Sequence, residues 1–190
     1  MGFFTNNTLE IMYITFTLPY IIRGVKMIKA KLRILASCFI EYIDRTRSIY
    51  KYYSKSNKWS NKNNKLVANY YSNKIYNKFK CIISPKSSIK ETINFPHPLG
   101  IVIGEGVIMK DNVTIYQNVT IGRKHKNIPE YPIIEEDVII YANSVICGDI
   151  VLKKGTIIGA NSVVLKDTEE NGIYIGNPAK KIGVRNINEE

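Results

Sequence analysis

A six-residue repeat of apolar side chains dominates the second half of the chain. Counting in steps of six from Ile83, with two longer steps, gives thirteen apolar positions that end at Val164. The residues two positions earlier are mostly small or branched, and glycine follows the apolar position at 104, 122 and 159. This period fits neither a helix nor an ordinary strand. It is typical of a β-helix, in which short parallel strands meet at repeated corners, with glycine expected where a corner leaves no room for a Cβ atom.

The first interruption of the repeat surrounds a histidine. Eight residues instead of six separate Phe95 from Ile103, and His97 lies between Pro96 and Pro98 in this break. The prolines fix the backbone on both sides of the imidazole, and imidazole exchanges a proton near neutral pH. His97 is therefore the first candidate for a general base, with an ordinary surface histidine as the alternative.

The second interruption predicts a protruding loop. Thirteen residues separate Ile121 from Ile134, and the extra segment, 123–133, is polar and basic at first and then rich in proline. One interpretation is a lid or arm that holds an anionic ligand, and the other is a solvated loop without a function. His125 lies in the loop and ranks below His97 as a catalytic candidate.

The positive charge of the protein belongs to its N-terminal part. Residues 1–80 contain 15 Lys and Arg against 3 Asp and Glu, whereas residues 81–190 contain 12 against 13. The sequence therefore predicts two parts, a basic and mainly helical region 1–80 and a β-helix domain 81–190. In the first part, apolar spacing predicts a helix from about Lys26 to Tyr53. It is followed by a polar linker, Ser54–Asn64. A short helix from Lys65 to Lys78 comes next, and we expect it to pack through Leu66, Tyr70 and Ile75.

Three interpretations of the basic helix stay open. It packs against the rest of the assembly, it lies on an anionic membrane, or it binds nucleic acid. No nucleic-acid recognition motif accompanies the basic residues, so a nucleic-acid partner is not expected. The apolar run Ile11–Ile22 is too short to span a bilayer. We expect a cytoplasmic protein, with contact to the inner face of the cytoplasmic membrane as an open alternative.

Cysteine and histidine are too scarce and too scattered for a disulfide framework or a multi-histidine metal centre. The three cysteines, Cys38, Cys81 and Cys147, form no CxxC pair, and the chain has two histidines. We expect reduced, buried thiols and no metal cofactor.

Several blocks of the sequence resemble a known family. They are HPLGIVIGEGVIMKDNVTIYQNVTIG, ANSVICGDIVLKKGTIIGANSVVLKD and IGNPAKKIG. They are similar to the hexapeptide-repeat acyltransferases, in the serine acetyltransferase-like branch that also includes O-acetyltransferases of bacterial surface polysaccharides. The resemblance covers roughly residues 81–183. It implies a left-handed parallel β-helix, a homotrimer or a dimer of trimers with active sites between subunits, and acetyl-CoA as the co-substrate.

The resemblance also implies roles for individual residues. His97 is the general base that takes the proton from the acceptor hydroxyl, so no acyl-enzyme is required. Gln117, Glu130 and Tyr131 are the predicted acceptor contacts. The predicted acetyl-CoA cleft is lined by Gly122, Arg123, Lys124, Ala142, Ala160, Lys166, Gly176, Pro178 and Lys180, with the basic side chains, and Lys126, as partners for the phosphates.

This chain departs from the serine acetyltransferase pattern in several places, and two of them concern the partner of the histidine and the acceptor. The aspartate that orients the histidine in those enzymes is replaced near Ile82, so Asn94 and Glu91 are candidate orienting partners. Glu130 takes the place of the arginine that meets the serine carboxylate. A close like-charge pair costs on the order of 1 to 4 kcal/mol.

These departures favour a sugar over serine as the acceptor. The sequence thus predicts an acetyl-CoA-dependent O-acetyltransferase that acts on a sugar hydroxyl in the synthesis of capsule, O-antigen or exopolysaccharide. Two alternatives are a serine O-acetyltransferase of cysteine biosynthesis and a solenoid scaffold without catalytic activity.

Overall fold

Two helices precede the β-strands in the computed structural model, which describes residues 45–125 and 127–186. These residues all belong to one compact unit, Asp44–Glu190. The helix α1 occupies residues 45–61 of the described range, and α2 occupies Lys65–Phe79. The predictions for Ile11–Ile22 and for the helix up to residue 44 lie outside the described residues. The division into domains at residue 80 stays a prediction.

The linker predicted at Ser54–Asn64 is wrong, because helix α1 continues to residue 61. Ile49, Tyr53 and Ser56 are buried and follow one another at helical spacing. The Ser56 hydroxyl donates a hydrogen bond to the Ala68 carbonyl at 2.8 Å. Helix α2 therefore supplies a hydrogen-bond acceptor for Ser56, a polar residue that composition alone would assign to a loop.

The helix predicted from Lys65 is present, but it packs through a different face. Leu66 and Tyr70 are 85% and 55% exposed, whereas Ala68, Ile75 and Phe79 are buried. Asn64 caps the helix, since its side chain accepts a hydrogen bond from the Val67 amide.

Thirteen short strands follow, and twelve of them run in parallel coils before an antiparallel hairpin closes the end. Each coil passes through three faces in the order A, B, C. The strands of face A are β1 (Ile82–Ile83), β2 (Val102–Ile103), β5 (Thr120–Gly122), β8 (Val145–Cys147) and β11 (Val163–Val164). Those of face B are β3 (Ile108–Met109), β6 (Ile133–Ile134) and β9 (Val151–Leu152). Those of face C are β4 (Thr114–Ile115), β7 (Ile139–Ile140), β10 (Ile157–Ile158), β12 (Gly172–Gly176) and β13 (Ala179–Val184).

The apolar repeat positions form the interior of the three-faced β-helix. All thirteen are at most 8% exposed, and the stacked registers place Ile103, Ile121 and Ile146 above one another on face A. The residues two positions earlier, from Ile101 to Ser162, are also buried. Each coil covers the apolar side chains of the next one, which is how stacked repeats share one core. The predicted β-helix is therefore confirmed.

Asparagine, rather than glycine, supplies most of the left-handed corners. Asn118, Asn143 and Asn161 have φ angles of 58°, 62° and 58°, and asparagine tolerates this region better than most residues. Of the three glycines that the repeat singles out, Gly104 and Gly159 lie where a Cβ would press on a neighbouring coil, whereas a Cβ at Gly122 would meet open space.

Two further predictions concern the cysteines and the membrane. Cys81 is buried and Cys147 is half-buried, and both are free thiols. Within the described ranges, no helix has the length and apolarity that crossing a bilayer requires.

Candidate active site

His97 lies on a corner that both prolines anchor. We call corner CA the four segments that connect face C to face A, which are residues 95–101, 116–119, 141–144 and 159–162. Pro96 and Pro98 are buried, whereas His97 between them is exposed. The Leu99 amide donates a hydrogen bond to the His97 carbonyl at 2.8 Å. The imidazole therefore projects from a fixed backbone.

Helix α1 forms hydrogen bonds with the backbone at the start of this corner. The Thr46 hydroxyl lies 3.3 Å from the Phe95 carbonyl, to which it donates, and 3.3 Å from the Phe95 amide, from which it accepts. Gly100 turns the chain back with a φ of 66°. A side chain there would collide with Asn118 of the next coil. The longer step from Phe95 to Ile103 is thus held by contacts on both sides of His97.

Two tyrosines extend from His97 along corner CA. The ring centroids of His97 and Tyr116 are 6.0 Å apart with an angle of 54° between the planes. Tyr116 stacks on Tyr141 at 5.0 Å and 22°. Neither tyrosine is among the predicted site residues, although each directly follows a repeat position, Ile115 or Ile140, and so shares the offset of the glycines at 104, 122 and 159.

Small residues continue the same corner beyond the tyrosines. Ala142 is half-buried and Ala160 is exposed, and the Asn161 amide donates a hydrogen bond to the Ala142 carbonyl at 3.0 Å. The Gly176 amide donates to the Ser162 hydroxyl at 3.1 Å, which places the turn between β12 and β13 beside this corner. Pro178 lies in that turn and Lys180 in β13. A narrow cofactor arm fits such a strip, because short side chains leave the backbone accessible.

The loop leaves the coil from a different corner. We call corner AB the segments that connect face A to face B, including residues 104–107, 123–132 and 148–150. Arg123, Lys124 and Glu130 are exposed here. The Tyr131 ring covers Gly104 and Gly106, where a Cβ would meet it. Gly122 ends β5 at the root of this loop, and Lys166 follows β11 on the same side.

The predicted site residues thus fall into two groups within one chain. His97, Gln117, Ala142, Ala160 and Gly176 lie along or beside corner CA, whereas Gly122 and the loop residues lie at corner AB. Face A lies between the two corners. Within one chain, the loop and His97 are therefore separated by face A.

The two candidate partners of His97 lie on other segments of the first coil. Asn94 forms a backbone bridge with Thr114 on face C, and Glu91 is exposed where face B turns into face C. Within residues 45–125 and 127–186, no hydrogen bond joins either side chain to the imidazole. Gln117 carries a buried side-chain oxygen, Oε1, that has no hydrogen-bond partner in the described part of the chain. The roles predicted for these three residues stay predictions.

Comparison with known proteins shows what the repeat half of the chain is similar to. The bacterial transferase hexapeptide (six repeats) profile matches residues 131–166. A serine acetyltransferase of Buchnera aphidicola is 39% identical over 126 residues, which are 65% of this chain and 48% of that protein. Residues 131–166 of this chain therefore carry the hexapeptide repeats that the profile describes.

Solved structures of serine acetyltransferases resemble this chain over most of its length. The enzyme of Vibrio cholerae superimposes with a TM-score of 0.70 at 33% identity, over 73% of this chain and 54% of that one. A serine acetyltransferase in complex with CoA superimposes with a TM-score of 0.66 at 35% identity, over 70% and 56%. These relatives confirm the left-handed β-helix. The chain spans about half the length of the curated relatives that it matches.

The comparisons correct the predicted acceptor. The relatives are serine acetyltransferases, so the assignment to sugar hydroxyls of surface polysaccharide is wrong, and the alternative of serine O-acetylation fits better. The error came from Glu130. A sugar acceptor would follow only if the Glu130 carboxylate were fixed against the substrate, but the side chain is exposed. Solvent and salt screen the repulsion from an exposed charge, so this single substitution does not exclude serine.

Proposed function

We propose that this protein is a hexapeptide-repeat transferase, an acetyl-CoA-dependent O-acetyltransferase with serine as its acceptor. The observation that carries the proposal is the exposed His97 on a rigid corner, in line with the strip of Ala142 and Ala160. Relatives named serine acetyltransferase, one of them in complex with CoA, supply the chemistry of donor and acceptor.

In the proposed reaction His97 acts as the general base. Its unprotonated ring nitrogen takes the proton from the serine hydroxyl while the oxygen attacks the thioester carbonyl of acetyl-CoA. The C–S bond then breaks, the thiolate of CoA leaves, and the imidazolium returns the proton to it. General-base catalysis of this kind contributes about 10²–10⁴-fold to the rate. A covalent acyl-enzyme has no place in this scheme.

The strip on corner CA is proposed to hold the pantetheine arm. Its short side chains fit a narrow, flexible chain that contacts backbone groups. Exposed basic side chains at the loop root, Arg123 and Lys124, and on β13, Lys180, are the proposed partners of the phosphates.

A homotrimer is the proposed assembly. His97 and the loop lie on different corners of one chain, so an arrangement in which a second subunit brings its loop to corner CA completes the site. Exposed apolar side chains at Ile82, Leu99 and Leu165, which lie on or beside face A, support an interface there.

A coupled assay with amino-acid acceptors tests the proposed activity. Release of free CoA thiol from acetyl-CoA is followed with L-serine, and mass spectrometry identifies the product. Glycine, which lacks the hydroxyl, is the control. We expect O-acetylserine with L-serine and no acetylated product with glycine. Hydrolysis of acetyl-CoA at the same rate with and without L-serine would contradict the proposal.

We further propose that the helices α1 and α2 hold the transferase on an anionic lipid surface. Residues 45–80 contain ten Lys and Arg and no Asp or Glu. Among the described residues, none of the ion pairs involves this helical hairpin. Leu66 is 85% exposed beside the exposed Tyr70. A lipid surface accepts both the positive charge and the aliphatic group, whereas a second copy of the same hairpin would be repelled.

Co-sedimentation with vesicles tests this surface. We expect binding to vesicles of phosphatidylcholine mixed with phosphatidylglycerol and little binding to phosphatidylcholine alone. The pair Lys74→Gln and Lys78→Gln should weaken binding by roughly 30-fold, at about 1 kcal/mol per lysine. The matched pair Lys153→Gln and Lys154→Gln removes the same charge from the β-helix and should change binding little. Equal losses in both pairs would contradict a specific docking face.

A further inference from the structure

The proposed mechanism requires a defined orientation of the His97 ring. A general base must present one ring nitrogen to the acceptor, and a freely rotating imidazole does this only part of the time. Ile82, which is 55% exposed, occupies the region where the family resemblance implies an orienting aspartate. Within residues 45–125 and 127–186, no side chain forms a hydrogen bond with the imidazole.

The ring of Tyr116 is the group that the structure places against His97. Their centroid separation of 6.0 Å lies within the range of about 4.5 to 7 Å in which tilted aromatic pairs attract each other. Tyr116 is half-buried. Its backbone is fixed, because its amide donates a hydrogen bond to the Ile140 carbonyl at 3.0 Å.

Tyr141 fixes the ring of Tyr116 from the other side. The two rings stack at 5.0 Å and 22°. They follow Ile115 and Ile140, which are paired residues on the neighbouring strands β4 and β7. Parallel strands in register place equivalent side chains one above the other, so the three rings form a short column along corner CA.

We propose that Tyr116 is a positioning residue that acts through His97, and that Tyr141 supports it. This inference rests on the proposed function, because it assigns Tyr116 a role in the same proton transfer. The ring of Tyr116 forms a wall on one side of the imidazole and limits its rotation about the Cβ–Cγ bond. An aromatic contact thereby takes over the orienting task of a carboxylate. The proposal requires the ring of Tyr116 and not its hydroxyl.

Proton NMR tests the contact independently of any activity. The chain has only two histidines, so the imidazole Cε1 protons give two signals, and His97→Ala assigns them. Tyr116→Leu should shift the His97 signal through loss of the ring current and leave the His125 signal in place. Tyr116→Phe should shift neither signal. An unchanged His97 signal in Tyr116→Leu would overturn the proposal.

Kinetics test whether the contact serves the reaction. Tyr116→Leu should lower kcat about tenfold, as expected for a misoriented catalytic group, with an unchanged KM for acetyl-CoA. Tyr116→Phe should restore kcat to nearly the wild-type value. Tyr141→Leu leaves the contact between Tyr116 and His97 in place, so it should lower kcat less than Tyr116→Leu does. It serves as a second variant if Tyr116→Leu folds poorly.

A double variant separates positioning from general packing. On the His97→Ala background, Tyr116→Leu should cause no further loss of kcat, because Tyr116 acts through the missing imidazole. An equal loss with and without His97 would overturn the proposal. If the wild-type protein transfers no acetyl group to L-serine, the proposed function fails, whereas the NMR result still decides whether Tyr116 holds His97.

Discussion

Tyr53 joins helix α1 to the first coil of the β-helix through its hydroxyl group. The buried hydroxyl donates a hydrogen bond to the Ser87 carbonyl and accepts one from the Ile89 amide. Tyr53→Phe removes both and leaves the buried amide without that partner. We expect a loss of about 1–3 kcal/mol in the free energy of unfolding, measured with urea. Tyr70→Phe, at an exposed site, is the control, and an equal loss there would contradict this role.

The same phenol makes stability depend on alkaline pH. Burial raises the pKa of Tyr53 above its ordinary value, although its hydrogen bonds oppose this effect. The pKa in the folded state is therefore higher than in the unfolded chain. Its contribution to stability is complete below about pH 10, the ordinary tyrosine pKa, and is lost as pH rises through the folded-state value. Urea titrations above pH 10 should show a steeper decline for the wild type than for Tyr53→Phe, and parallel curves would contradict this.

At the scale of elements, the ring of Tyr131 packs the end of the loop against corner AB. The ring of Tyr131 lies where a side chain on Gly106 would begin. Gly106→Ala should therefore displace the ring and lower the free energy of unfolding by about 1–3 kcal/mol. Thermal melting and limited proteolysis of the loop measure the effect. Gly122→Ala is the matched control, since a Cβ there meets nothing within 4 Å, and an equal change in melting temperature would contradict the proposed anchor.

The sequence predicts the coils well because each coil needs apolar side chains at fixed positions within its own six-residue repeats. Each repeat position, such as Ile121 or Ile146, must fill the interior of its own coil, so the period alone identifies the buried side chains and the two breaks. The outer face of α2 could not be predicted in this way. Leu66 and Ile75 are both large and apolar, and the packing of α2 against the rest of the chain decides that Ile75 is buried and Leu66 exposed.

The site shows the same limit. The place of His97 on an interrupted corner could be predicted, because prolines and a broken period mark it in the sequence, whereas its catalytic role stays a prediction. Its contact with Tyr116 depends on how the neighbouring coils stack, and nothing in the spacing says which side of the corner the imidazole faces. The acceptor could not be inferred from Glu130, because a loop residue has no fixed position along the chain's repeat.

At the scale of the whole molecule, the two corners predict shared active sites. His97 lies on corner CA and the loop on corner AB, so in the proposed trimer one subunit supplies the histidine and another the loop. Mixing His97→Ala chains with chains that carry a shortened loop should restore activity after subunit exchange. Random assembly into a closed ring of three makes about one quarter of the sites intact. No recovery in verified mixed trimers would contradict a shared site.

The most direct test of the proposed activity compares the two histidines. Release of CoA from acetyl-CoA with L-serine is measured for the wild type, His97→Ala and His125→Ala, each confirmed to be folded by its melting temperature. We predict that His97→Ala lowers kcat by at least about 100-fold, as expected for loss of a general base, and that His125→Ala keeps most of the activity. A loss of less than about tenfold in His97→Ala, below the usual contribution of a general base, would contradict this account of the site.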